Sequence, residues 1–369
     1  MKQFKDSPNI KDNANKARAL FNRKTILPIT LVVVLSFIIF NVFSQSVVKV
    51  KPNLETSKAP EYSFKVTQLS STTWNTPTGL PYRTGPGVNL GATSFAIVDA
   101  NRVAYLCNST NEVFITGLKD GKVITKFSVG SDPRDFVYDK GEFYVLNDFA
   151  VSSYDVTGKL TGTFGYSKQY LGVVRMTRYN HEIYLLLPSG NSLLIATAGK
   201  AVTASETEGW ITSTGSRVIT NINGDNTYAI TVITAEGVRL QNTFQTDKKI
   251  AGVFPVGMTA GRVILDVQTF ISESPISVER QIVGTLFSPT GLEKAVSEIK
   301  VPNVYYVLSS KDFLISDSGT LYNMVTAPEG VFLFALKESS SGESNTSNYP
   351  SFIATQSYHF NDHLNPEGK

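Results

Sequence analysis

A unit of four short apolar runs recurs along this chain about every 40 residues, and a recurrence of that size leaves few folds open. The clearest copy covers residues 133–165. It reads Asp135-Phe136-Val137-Tyr138-Asp139, a turn at Lys140-Gly141, Glu142-Phe143-Tyr144-Val145-Leu146, a turn at Asn147-Asp148-Phe149, Val151-Ser152-Ser153-Tyr154, a turn at Val156-Thr157-Gly158-Lys159, and Leu160 to Gly165. Val, Phe, Tyr and Leu fill the runs while Gly, Asp and Asn fill the breaks, the pattern of antiparallel strands joined by tight turns. The same order appears upstream from Phe95 to Phe127, begins again at Met176 to Leu187, and returns a last time from Phe313 to Phe334. Tyr105, Tyr144, Tyr184 and, more loosely, Tyr228 mark the second run of successive copies.

Six copies fit best, at Ser94 to Gly130, Pro133 to Gly165, Val173 to Gly209, Arg217 to Lys248, Val256 to Ile299 and Val304 to Leu336. Seven would require a blade hidden around Trp74, five would mean one copy has been split, and a set of unrelated hairpins in a β-sandwich is the rival architecture. The predicted fold is all-β, a six-bladed β-propeller of four-stranded antiparallel blades. The last copy lacks an evident fourth strand after Leu336, whereas Tyr62 to Leu69 alternates apolar with polar just before the first copy. A ring open at that point would expose two sheet edges, so Tyr62 to Leu69 is predicted to complete the last blade.

Residues 1–24 are polar and basic, and Ile26 to Phe43 follows without a charge, dominated by Leu, Val, Ile and Phe. That run spans roughly 27 Å as a helix, close to a bilayer core. The expectation is one transmembrane helix over 25–44, preceding the propeller and retained as a signal anchor. Its Lys/Arg-rich flank places the N-terminus in the cytoplasm and the propeller outside it, periplasmic or at the cell surface. Cleavage before Gln45 as a signal peptide is the alternative. The domain reading is then 1–24 cytoplasmic, 25–44 membrane helix, 45–61 tether, 62–338 propeller, and a Ser/Asn/Gly-rich tail over 339–369. A net charge of +3 over 369 residues gives no global nucleic-acid footprint. The single cysteine, Cys107, excludes an internal disulfide and falls where a small buried hydrophobe is expected.

Ser131-Asp132-Pro133-Arg134-Asp135-Phe136-Val137-Tyr138-Asp139, Glu142 to Asp148, and Tyr154-Asp155-Val156-Thr157-Gly158-Lys159 resemble an NHL-type repeat. More broadly, Phe64 to Leu336 is similar to membrane-anchored or secreted six-bladed bacterial propellers, NHL-like and TolB-like. The resemblance is clear in blades one, two and six and degenerate in three to five. It implies a fold rather than an activity, since such propellers serve as scaffolds, glycan or peptide binders, lactonases and lyases.

Candidate chemistry is sparse. No phosphate loop, nucleophile elbow or paired cysteine ligands are present, no cofactor is called for, and no catalytic or metal residue is assigned. His181 reads as a solvated turn residue, and His359, Asp362 and His363 as a polar end rather than a metal site. Positions just before the innermost strands converge at one mouth of a propeller channel. Aligning the copies puts Ser94, Asp135, Arg175, Arg217 and Asp312 there. Such a ring could hold a carboxylate, a sugar or a peptide terminus, while mutual pairing of these charges is the plainer reading. Loops at Asn108 to Asn111, Asn147-Asp148, Ser189-Gly190-Asn191 and Ala327-Pro328-Glu329 would flank that mouth. The expected function is a non-catalytic, membrane-held binding or scaffold module presenting this face to a protein or an envelope glycan. The alternative is a metal-dependent hydrolase or lactonase with Asp135, Asp312 and Asn147 or Asn191 as ligands.

Overall fold

The computed structural model describes residues 47–50, 63–85, 88–147, 149–170, 172–173, 175–259, 261–288, 291–299, 301–302, 306–339 and 349. The expected membrane helix over 26–43 and the tail histidines His359 and His363 lie outside these residues. Among the described residues no helix is long and apolar enough to cross a membrane.

The elements open with β1 (Val47–Val50), β2 (Ser63–Thr73) and a small hairpin of β3 (Arg83–Gly85) and β4 (Val88–Leu90). Blade one is β5 (Ala92–Ile97), β6 (Arg102–Cys107), β7 (Glu112–Gly117) and β8 (Val123–Ser128). Blade two is β9 (Asp135–Asp139), β10 (Glu142–Leu146), β11 (Ala150–Asp155) and β12 (Leu160–Gly165). Blade three is β13 (Arg175–Tyr179), β14 (Glu182–Leu186), β15 (Ser192–Thr197) and β16 (Lys200–Thr207). Blade four is β17 (Trp210–Ile211), β18 (Arg217–Gly224), β19 (Thr227–Ile233) and β20 (Arg239–Thr246). Blade five is β21 (Ile250–Met258), β22 (Arg262–Glu273), β23 (Ile276–Ser288) and β24 (Gly291–Ile299), and blade six contributes β25 (Phe313–Ile315), β26 (Leu321–Ala327) and β27 (Gly330–Ser339).

Within each blade the strands just named pair antiparallel in chain order, which makes this an all-β six-bladed propeller. Blade six is completed by β2, paired antiparallel with β27 from Ser63↔Ser339 to Thr73↔Gly330. The closing strand expected at Tyr62 to Leu69 is therefore present and runs further, to Thr73. Trp74 continues the seal by donating its indole N–H to the Ala327 carbonyl at 2.7 Å. The packed apolar clusters lie between neighbouring blades: Phe136, Phe143 and Val145 of blade two meet Leu106, Val113 and Ile115 of blade one. Cys107 is fully buried, as expected.

Three expectations need correction. The tether begins as structure, because Val47–Val50 pairs in parallel with β20 as a fifth strand on blade four. Blade five starts at Ile250, six residues before its expected beginning at Val256, because Gly252 and Gly257 sit at register shifts that break the alternation. The register of blade four slips by one strand. Its first strand is the two-residue β17, so Arg217 opens the second strand and Tyr228 lies in the third. The Thr212 to Ser216 turn concealed this, since a strand of two residues carries no periodicity to read.

Tyr105, Tyr144 and Tyr184 do occupy second strands, and with Tyr228 and Tyr349 all five are buried. Burial raises each phenol above its usual value, and the Glu142 and Glu182 carboxylates add to the rise at Tyr144 and Tyr184. The unfolded chain therefore loses these protons near pH 10 while the folded chain keeps them. The stability they contribute is complete below pH 10 and is lost as pH rises above it toward the folded values. In an absorbance titration at 295 nm, these phenols should stay silent until a cooperative alkaline unfolding step releases them together. Ordinary titration of all 16 tyrosines before any loss of far-UV signal would contradict this.

Candidate functional site at the propeller axis

First strands run from what we call the upper face to the lower, so the turns between second and third strands lie on the upper face. The loops at Asn108–Asn111, Asn147 and Ser189–Asn191 are such turns, as is the chain between β26 and β27. Asp135 and Arg175 open β9 and β13 at this face, Asp312 directly precedes β25, and Ser94 sits just inside β5.

The structure brings Ser94, Asp135, Arg175 and Asp312 to the axis and leaves Arg217 out. Asp135 is fully buried and saturated. It accepts from the Ser94 hydroxyl at 2.6 Å, from the Phe136 and Met176 amides at 2.7 Å each, and from the Lys311 ammonium at 2.7 Å. Lys311 is also buried, lies 5.5 Å from the Phe136 ring centroid, and bonds to the Phe136 carbonyl. Burial pulls its ammonium below the usual lysine value, against the opposing field of Asp135. Asp312 is gripped by both Nη atoms of Arg280, whose Nε donates to Asp266 at 2.8 Å. Burial pushes the Asp266 carboxyl upward, with Arg280 opposing. Arg217, by contrast, donates to the Glu208 carbonyl at 3.0 Å, at the lower end of β18, because of the one-strand slip in blade four.

Two members of the cluster keep a buried atom without a partner, Asp266 at Oδ1 and Arg175 at Nε. Arg175 also lines an axial cavity of about 50 Å³ together with Trp210, Ser213 and Lys311. That volume admits a few waters rather than a metabolite. At the lower end Arg178 of blade three pairs with Asp139 of blade two at 3.2 Å and with Asp317 of blade six at 2.8 Å, linking three blades around the axis. His181, expected to be a solvated turn residue, keeps its turn and a positive φ of 63° but also bonds to Asp139 at 2.9 Å.

Lys311, Arg280, Asp266, Arg178 and Asp317 were not identified from sequence. Only Lys311 left a trace, as the neighbour of the aligned Asp312. Of the ligands offered for a metal, Asp135 and Asp312 are taken up by Lys311 and Arg280. The side-chain amides of Asn147 and Asn191 donate to the Ser131 carbonyl at 2.7 Å and to Glu206 at 2.6 Å, while Asn147 Oδ1 is buried without a partner and Asn191 Oδ1 accepts from the Gly209 amide at 3.4 Å. Among the described residues no group of three or more His, Cys, Asp or Glu could hold a metal ion.

Two further features lie on the upper face. The β22–β23 hairpin rises beyond its neighbours, with Ile271 55 % and Ile276 67 % exposed at its tip. Beside it, a groove of about 400 Å³ runs between β18 and β21, bounded by Pro188, Trp210, Ile222 and Phe254.

No family model and no curated protein matches the chain. Solved structures similar to it include hydrazine synthase from Kuenenia stuttgartiensis, 14 % identical with a TM-score of 0.45, covering 64 % of this chain and 73 % of that one. A streptogramin B lyase is 10 % identical with a TM-score of 0.42, covering 76 % and 100 %. BamB from Moraxella catarrhalis is 13 % identical with a TM-score of 0.35, covering 73 % and 85 %. The strand order above, not these similarities, establishes the blade count.

Proposed function

We propose that this chain is a non-catalytic binding or scaffold module, held at a membrane by residues 26–43 with its propeller on the extracytoplasmic side, and that its upper face engages a partner protein. The observation that carries the reading is the β22–β23 hairpin, which presents Ile271, Ile276 and Val278 to solvent on the face where the inter-strand loops gather. Exposed aliphatic groups on a raised hairpin favour a protein surface over a glycan. Ion pairs of Lys249 with Glu273 and of Lys248 with Glu279 brace the hairpin against the start of blade five. The axial charges support the same reading from the other side, because Asp135, Lys311, Arg280 and Asp312 are taken up in holding blades together.

The test is purification of the full-length chain from its native membrane in mild detergent, with the mass of the complex and its co-purifying proteins determined. A reproducible partner that is lost on Ile271→Asp/Ile276→Asp, with the melting temperature unchanged, is the expected result. A partner retained by that variant would remove the hairpin from the interface, and a clean monomer would overturn the scaffold reading.

A further inference from the structure

The first strands of blades one, two, three, five and six contain 6, 5, 5, 9 and 3 residues, while β17 in blade four has 2. The strand beside it, β18, has 8. Their pairing is limited to Trp210↔Val218 and Ile211↔Arg217. Above Val218, no strand among the described residues pairs with the axial side of β18, so Ile219 to Gly224 present a backbone edge about 20 Å long. Such an edge is a template for another strand unless it is covered or charged. Nothing in Ile219-Thr220-Asn221-Ile222-Asn223-Gly224 carries a charge or a proline, and Asn221 to Gly224 are exposed, Ile222 by 51 %.

The edge opens onto the groove between β18 and β21. Trp210 and Phe254, stacked with ring centroids 6.4 Å apart, form one apolar wall and Pro188 of blade three the other. The edge is held in place from beyond the groove, since the Thr220 hydroxyl donates to the Val253 carbonyl at 2.9 Å and the Ile250 amide to the Asp225 carbonyl at 2.6 Å.

We propose that the upper half of the β18 edge binds an extended segment of a partner protein, which adds antiparallel to β18 as the continuation of the strand that β17 only begins. The main-chain ladder supplies affinity, and the Trp210–Phe254 wall receives an apolar side chain from every second residue. The existing β17–β18 ladder fixes the direction and register of the incoming strand. The proposal rests on the reading that the upper face binds protein, and it names the mode of binding.

Trp210 provides a local reporter, since Trp74 is the only other tryptophan and Trp74→Tyr leaves a single indole. The full-length chain carrying that change is titrated with acetyl-Thr-Val-Thr-Phe-Thr-Val-Thr-amide and with the same peptide N-methylated at alternate residues, which has the side chains but lacks the ladder donors. The expected result is a saturable change in Trp210 emission with the first peptide, at least tenfold weaker with the second and with Ile222→Lys. Amides within residues 219–224 should gain hydrogen-exchange protection in the complex.

Equal binding of both peptides would reduce the site to an apolar contact and overturn the proposal, as would no binding of either. Binding that appears only after deletion of residues 340–369 would make the occupant this chain's own tail and likewise overturn it. A co-purifying partner that is lost on the hairpin double variant but retained on Ile222→Lys would sink the strand-addition mode while leaving the scaffold reading intact.

Discussion

Asp135→Ala lowers the unfolding free energy by about 3–5 kcal/mol, the expected cost of leaving a buried charge without its partner. The Asp135 carboxylate is fully buried and Lys311 nearly so, and between them they join blades one, two, three and six. Removing the carboxylate leaves the Lys311 ammonium facing the carbonyl of Phe136 and the guanidinium field of Arg175, which already opposes its charge. It also strands the Ser94 hydroxyl and the Met176 amide. The pair itself is not expected to stabilise the fold by anything near that amount, because desolvating two ions offsets most of their attraction. Asp135→Ala/Lys311→Met should therefore recover most of the loss. A double-mutant cycle read by urea denaturation decides the point. If Asp135→Ala costs under 1 kcal/mol, or the double variant is no better than the single, the axial pair is not the junction described here.

Deleting residues 1–74 should have a larger effect still, removing the cooperative unfolding transition altogether. Without β2, β27 loses the partner that it holds along its length from Gly330 to Ser339. Val66 leaves the cluster of Phe334 and Leu336, and the indole bond of Trp74 to Ala327 is lost. Blade one loses its anchor too, because Gly121, with φ +64°, packs its turn directly on the Ser71 carbonyl. A gentler version of the same test is Gly121→Val. A side chain there meets that backbone oxygen in a conformation that β-branched residues avoid. It should lower the melting temperature markedly, whereas Gly141→Ala, at a turn with open space around it, should cost much less. A truncated chain that still melts cooperatively would show that the ring closes by another route.

What could be read from the sequence divides along the range of the forces involved. Alternation and turn residues are local, and they marked blades one, two and six strand by strand. Tyr105, Tyr144 and Tyr184 kept the spacing because each second strand must bury the same face against the next blade. The need to satisfy a sheet edge is a general constraint on any ring, and it assigns the strand after Tyr62 to the last blade, where β2 pairs with β27.

The start of blade five is displaced because β21 is bulged, and blade four slips by a strand because β17 is two residues long, so the alternation that carries register is missing there. Arg217 was carried to the wrong end of its blade as a result. The axial network was legible only in part for a different reason. Ser94, Asp135, Arg175 and Asp312 share a repeat position, and repetition alone places them together. Asp266 and Arg280 reach the axial network from the second and third strands of blade five, and no spacing in the chain announces that. The sequence alone determined the strands, their order and the need for closure, which follow from local backbone preference and alternating burial. Tertiary structure decided which charges meet and which strand edge lies open, because both depend on how far each blade reaches toward the axis.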